Sequence, residues 1–195
     1  MQTRIYLARH GETLWNKTQR LQGQLDSKLT ALGKMQSLKI AETSATKNIN
    51  FIISSPLGRA LETAVICQQK LKVDHQISDD LKERNLGDWQ GKEVEKLQLL
   101  PEYNEMLNQV TALKIENSES ALVCGQRILD TLKQLGNEHL GQSLLIIFHG
   151  EALRCLLFLL GKIDNNNAFH LYKNGCIVTL DFQLKNNHLT ILNNT

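Results

Sequence analysis

The sequence predicts an α/β fold: a three-layer sandwich with a mainly parallel central sheet and helices on both faces. Three observations carry that expectation. Three short, continuously apolar runs, RIYLA (Arg4 to Ala8), FIIS (Phe51 to Ser54) and SLLIIF (Ser143 to Phe148), have the character of strands buried on both faces. Each is followed by a segment of helical periodicity, and that alternation is the signature of parallel strands joined through helices. The 195 residues contain two prolines, no internal repeat and no Ser/Gly-rich linker, so one domain over residues 1–195 is expected.

The first helix is expected from Thr30, a good N-cap, through TALGKMQSLKIAETSA, with Leu32, Met35 and Leu38 on its apolar face. The second follows FIIS, with Ser55 as cap and Pro56 at the first helical position. Residues 84–117 read as helical but less apolar, a candidate lid over the site. A long helix is expected from about Ser118 to Asn137, with Leu122, Ile128, Leu129, Leu132 and Leu135 inward. EALRCLLFLLG, after the third strand, reads as a buried helix stopping on Gly161. A polar loop, Asp164 to Gly175, precedes a strand pair, CIVTLDF and HLTILN, around QLKNN.

Composition removes several classes of function. Twenty-two basic and 20 acidic residues give a net charge of +2, without basic runs, which argues against a nucleic-acid surface. The longest apolar run contains Arg154 and is too short to span a bilayer, and the N-terminus does not read as a signal peptide. Cys67, Cys124, Cys155 and Cys176 are widely separated and form no CxxC, so reduced thiols and a cytoplasmic location are expected.

The polar residues then fall into a pattern. Arg9 and His10 follow the first strand, Ser54 and Arg59 the second, and His149 the third. Ligands of open α/β sheets bind beyond the carboxyl ends of the strands, so separate regions deliver two arginines and two histidines to one edge. Guanidinium forks match phosphate oxygens, and helix N-termini favour anions, so a phosphate is the expected ligand. A neutral imidazole can attack phosphorus, and a carboxylic acid can protonate the leaving alkoxide. Glu12 and Glu83 are the candidates for the acid, and Glu83 is preferred. HGE occurs twice, at His10–Glu12 and His149–Glu151, but lacks the HExxH spacing of a zinc site, so neither a metal nor another cofactor is expected.

LARHGETLWN, QGQLDSKLTALGKMQ, SSPLGRALETA, KERNLGDWQG and IIFHGEALR, in this order over nearly the whole chain, resemble the histidine phosphatase superfamily, the branch that includes phosphoglycerate mutases. The resemblance implies a phosphoglycerate mutase-like fold and a metal-free phosphohistidine mechanism on a small-molecule phosphate ester. It implies His10 as nucleophile, Glu83 as proton donor, and Arg9, Arg59 and His149 as the phosphate clamp. Asn16 and Gln22 would add side-chain donors, while Gly23 and Gly150 would let backbone approach the phosphate. Two residues depart from the family pattern. Lys28 stands where proline is usual, and Glu151 stands where a small uncharged residue is usual, which would set a negative charge near the substrate end.

NLGDWQGKEVEK lacks the pattern that mutases of the family resemble after the catalytic glutamate, and the chain is short for a mutase. A phosphomonoesterase is therefore the preferred reading. A cofactor-dependent mutase, an α-ribazole phosphate phosphatase and a non-catalytic phospho-ligand binding protein remain as alternatives.

Overall fold

The computed structural model describes residues 2–162, 166 and 168–192; part of the expected loop between Asp164 and Gly175, and Asn193 of the expected last strand, lie outside them. The strands are β1 (Gln2–Arg9), β2 (Phe51–Ser54), β3 (Asp74–Ile77), β4 (Ser143–Phe148), β5 (Ile177–Gln183) and β6 (His188–Leu192). The helices are α1 (Leu14–Lys17), α2 (Ala31–Ser44), α3 (Gly58–Leu71), α4 (Val94–Leu97), α5 (Tyr103–Asn108), α6 (Ala121–Glu138), α7 (Gly150–Leu159) and α8 (Ala168–Leu171). The strands form one sheet in the order β3-β2-β4-β1-β5-β6. The first four run parallel, and β5 and β6 add an antiparallel edge. β3 was not expected as a strand: its sequence, DHQI, is polar and partly exposed, as befits an edge.

Strand alternation divides the core between the two faces. Ile5, Leu7, Leu144, Ile146 and Phe148 face α6 and α7, while Tyr6, Ala8, Ile52, Leu145 and Ile147 face α2 and α3. This is the sandwich expected from the apolar runs. α6 is capped by Ser120, whose hydroxyl accepts from Val123 N at 3.2 Å, and buries Ile128, Leu132 and Leu135. Leu122, expected inward, is half-buried. α7 ends before Gly161, which takes φ +88°.

Two expectations fail on the α2–α3 side. Thr30 caps α2 as anticipated, its hydroxyl accepting from Gly33 N at 3.0 Å. Leu32, Met35 and Leu38, however, face solvent at 49, 65 and 47% exposure. The buried face is Gly33, Ser37, Ile40, Ala41 and Ser44, which packs on Ala60, Thr63, Ala64 and Cys67 of α3. Small residues let the backbones approach closely, and that outweighs the apolar stripe. α3 begins at Gly58, two residues later than expected, with Leu57 at the cap and Pro56 still in the preceding bend.

Between residues 84 and 117 the helical expectation holds in part: α4 and α5 are short and the rest is turn and loop. This stretch has its own apolar cluster, in which Leu86, Trp89, Leu97, Tyr103, Met106 and Leu107 gather with Leu21. Trp89 is buried in this cluster and stacks on Tyr103. Among the described residues no helix is long and apolar enough to cross a membrane.

The loop after β1 and the start of α2 meet backbone to backbone. A Cβ at Gly33 would lie 2.0 Å from the Glu12 carbonyl oxygen, and one at Gly11 would lie 2.2 Å from the Gly33 carbonyl oxygen. Gly33→Ala should therefore cost about 1–3 kcal/mol, as overpacking does, read as a lower urea midpoint. An unchanged midpoint would show that the loop yields freely.

Candidate active site

The sheet register sets the site. Arg9 pairs with Phe148 at the carboxyl ends of β1 and β4. Pairing continues one residue further, His10 N donating to Phe148 O at 3.0 Å and Ser55 N to Ile147 O at 3.0 Å. His10, Ser55 and His149 are thereby fixed side by side where three parallel strands end. The two imidazole centroids are 5.4 Å apart, inclined at 60°.

His10 is buried, and its partners define its tautomer. Nδ1 lies 2.7 Å from the Gly11 carbonyl oxygen, an acceptor, so Nδ1 carries the proton. Nε2 accepts from Arg59 Nε at 3.2 Å, so the lone pair sits on Nε2. Burial, then the charges of Arg59 and Arg9, hold its pKa well below the usual 6.5. His149, at the cap position of α7, is depressed in the same sense by burial, then by Arg59, His10 and Arg9. Its Nε2 lies 2.8 Å from Ser55 Oγ, and its Nδ1 is buried with no hydrogen-bond partner among the described residues.

Arg59 stands in the first turn of α3, and the loop after α1 wraps it. Nη1 donates to Leu25 O at 2.7 Å and Asp26 Oδ1 at 2.9 Å, and Nη2 to Gly23 O at 2.7 Å. Asp26 also takes Gly58 N at 2.6 Å, so it caps α3 from 32 residues away. Arg9 donates through Nη1 to the carbonyls of Ala168 and Tyr172. A Cβ on Gly150 would sit 2.9 Å from the Arg9 guanidinium carbon, so packing against Arg9 explains this glycine without any approach of backbone to a ligand.

Glu83 caps α7. Oε1 accepts from Ala152 N at 2.8 Å and Arg84 N at 2.9 Å, and Oε2 from Glu151 N at 3.2 Å. The helix starts expected to offer N–H groups to an anion are thus engaged by Asp26 and Glu83, because first-turn donors need acceptors. Burial raises the Glu83 pKa above its ordinary value; Arg59 opposes this and Glu151 adds to it. The other candidate, Glu12, takes Thr30 Oγ1 at 2.7 Å and is not in the cleft wall.

Glu151 corrects another expectation. It lines the cleft, but its charge is balanced: Oε1 accepts from Arg154 Nη2 at 2.6 Å and Arg84 Nη1 at 3.1 Å, and Oε2 from Arg154 Nε at 3.0 Å. Burial pushes its pKa up, yet Arg154 and Arg84 hold it below the ordinary value. Arg84 is fully buried and pairs with Glu151 across the fold.

The cleft thus gathers Arg9, His10, Asn16, Gln22, Gly23, Arg59 and Glu83, with His149 and Gly150 outside its lining. Asn16 Oδ1 is held by Thr13 N, Thr13 Oγ1 and Asn174 Nδ2 at 3.1–3.2 Å, leaving its amide N–H groups to the cleft. Gln22 is buried, with Oε1 unpartnered among the described residues. Gly23 takes φ +53°, and a Cβ there would meet Gln90 Oε1 at 2.2 Å. Among the described residues no three His, Cys, Asp or Glu side chains group as metal ligands would. Cys67, Cys124, Cys155 and Cys176 are free thiols.

Sequence reasoning missed Asp26, Asn174 and Gln90, and read Ser55 as a helix cap. Each acts through a partner distant in the chain, as Asp26 acts on Arg59 and Gln90 on Gln24 N. Their local sequence carries no mark of it.

The family model for the histidine phosphatase superfamily, branch 1, matches residues 5–195. The chain is 35% identical over 182 residues to "Probable phosphoglycerate mutase GpmB" of Yersinia pestis (strain Pestoides F), covering 92% of this chain and 85% of that protein. Among solved structures it is similar to Bacillus stearothermophilus YhfR, with TM-score 0.84 and 27% identity over 97% of this chain and 94% of that one. It is also similar to a phosphoserine phosphatase from Entamoeba histolytica solved with 3-phosphoglyceric acid. There the TM-score is 0.80 and the identity 25%, over 98% of this chain and 95% of that one.

The depressed imidazoles have a direct readout. At pH 6, below the ordinary histidine value, ¹⁵N NMR should show His10 neutral with its proton on Nδ1, and His149 neutral as well. An imidazolium signal for His10 at that pH would refute the assigned tautomer.

Proposed function

Given that the chain belongs to the histidine phosphatase superfamily, we propose that it is a phosphomonoesterase that works through a phosphohistidine on His10. The observation that carries this reading is the His10 Nε2 lone pair, neutral and held by Arg59 in a cleft whose wall also contains Glu83.

The chemistry runs in two steps. The Nε2 lone pair forms the N–P bond as the ester P–O bond breaks, and Arg59 turns its Nε–H from Nε2 to a phosphoryl oxygen. Arg9 and Arg59 balance the charge gathering on those oxygens, the neutral His149 ring stands beside them, and Asn16 and Gln22 add amide donors. Glu83, its pKa raised by burial, gives its proton to the departing alkoxide. The resulting carboxylate then takes a proton from water as that water attacks phosphorus. The N–P bond breaks, phosphate leaves, and Glu83 is again an acid. The segment 84–117 covers the alcohol part of the substrate, to which it presents Leu86 and Leu107.

A mutase reading draws support from the name of the 35%-identical relative. It differs in the second acceptor, an organic hydroxyl in place of water, so inorganic phosphate as the main product separates the two.

His10→Ala should abolish turnover of p-nitrophenyl phosphate while leaving the far-UV CD spectrum intact. Wild type, quenched in base, should carry an acid-labile phosphoryl group on His10. Normal turnover by the variant would eliminate the covalent route. EDTA should leave the rate unchanged, because the positive charge invoked belongs to guanidiniums; loss restored by a divalent ion would refute that.

Glu83→Gln should slow single-turnover phosphorylation of His10 by alkyl phosphates about 10²- to 10⁴-fold, the usual worth of general acid catalysis. p-Nitrophenyl phosphate, whose leaving group needs no proton, should be slowed much less. Equal losses for both would reduce Glu83 to its role as the α7 cap.

A further inference from the structure

Resting on the hydrolase reading, we propose that the substrate class is phosphate monoesters of uncharged, largely apolar alcohols, and that esters carrying a second anion are rejected. Among the described residues lining the cleft, the cations are Arg9 and Arg59, and both belong to the phosphate end: Arg59 bonds His10 Nε2, and Arg9 lies against Gly150. Beyond His10, Asn16, Gln22 and Gly23, which belong with the phosphate end, the rest of the wall is Leu21, Leu86, Leu107, Ala168 and the side chains of Glu83 and Glu151.

Two further cations stand behind that wall, but their bonds point elsewhere. Arg84 donates to Met106 O at 2.6 Å, Glu119 O at 3.0 Å and Glu151, and is 0% exposed. Arg154 donates to Glu151 and to Gln109 O at 3.1 Å and is 2% exposed. What lines the cleft from this cluster is Glu151, whose carboxylate the two arginines hold. A substrate carboxylate placed here would lose its water beside guanidiniums already committed to Glu151. An apolar group would gain by covering the leucines.

The wall is built rather than incidental. Leu21, Leu86 and Leu107 pack in one cluster with Trp89 and Met106. The two arginines fix the end of α5 that carries Leu107, by bonding the carbonyls of Met106 and Gln109. Glu151, which departs from the family pattern, holds both arginines together.

The test compares 2-phenylethyl phosphate with O-phosphoserine and 3-phosphoglycerate at pH 7, using the full chain. kcat/KM should favour 2-phenylethyl phosphate by at least about tenfold, since an apolar ring buried in full is worth roughly 1.5–3 kcal/mol before any penalty on the competing anion. Leu107→Ala should lower kcat/KM about tenfold for 2-phenylethyl phosphate and leave methyl phosphate, which cannot reach the wall, within about twofold. O-Phosphoserine or 3-phosphoglycerate matching 2-phenylethyl phosphate would overturn the inference while sparing the hydrolase reading. An equal loss on both esters in Leu107→Ala would do the same. Failure to turn over any monoester, p-nitrophenyl phosphate included, would overturn both.

Discussion

One hydrogen bond organises the site: Arg59 Nε–H donating to His10 Nε2 inside the protein. A guanidinium cannot be neutralised at working pH, so an imidazole beside it must stay neutral, and a donor pointed at Nε2 requires the lone pair there. Everything nearby serves that pairing. Gly11 O fixes the other ring nitrogen, the loop carrying Gly23, Leu25 and Asp26 anchors the guanidinium, and the β1–β4 register holds the ring at the sheet edge. Depriving His10 of either contact would free the ring to rotate or to take a proton.

Around this pair, acid groups do double duty. Asp26 and Glu83 each complete the first turn of a helix and face one of the charges of the cleft. A carboxylate cap is normally a contribution to helix stability of about 1 kcal/mol. Here the cap also fixes where the carboxylate stands relative to Arg59, so the starts of α3 and α7 are part of the electrostatic design. Glu151 does the same one layer further out, holding Arg84 and Arg154 and through them the carbonyls of α5 and the residues after it.

The parallel core was legible because strands buried on both faces read as unbroken apolar runs. Arg9, His10 and His149 were legible because polar residues directly after such runs have no packing reason to be there. Local pattern misled where tertiary contact overruled it. On α2, the visible stripe of Leu32, Met35 and Leu38 lost to a face of glycine, serine and alanine, whose value lies in how near another helix can come. At α3, Pro56 marked the bend and not the helix. Asp26 was invisible because its partners, Gly58 and Arg59, are more than 30 residues away, and β3 because a polar edge strand looks like loop.

The faces of the sheet and the seam between α2 and α3 are held by different forces. Against α6 and α7 the sheet presents leucine, isoleucine and phenylalanine, and against α2 and α3 it presents Tyr6, Ala8, Ile52, Leu145 and Ile147, burial that is driven by water and weakens on cooling. Between α2 and α3 the contact is mostly the close approach of small side chains and backbone, where dispersion between near atoms carries more of the attraction. Cooling therefore loosens the helices from the sheet more than it parts α2 from α3.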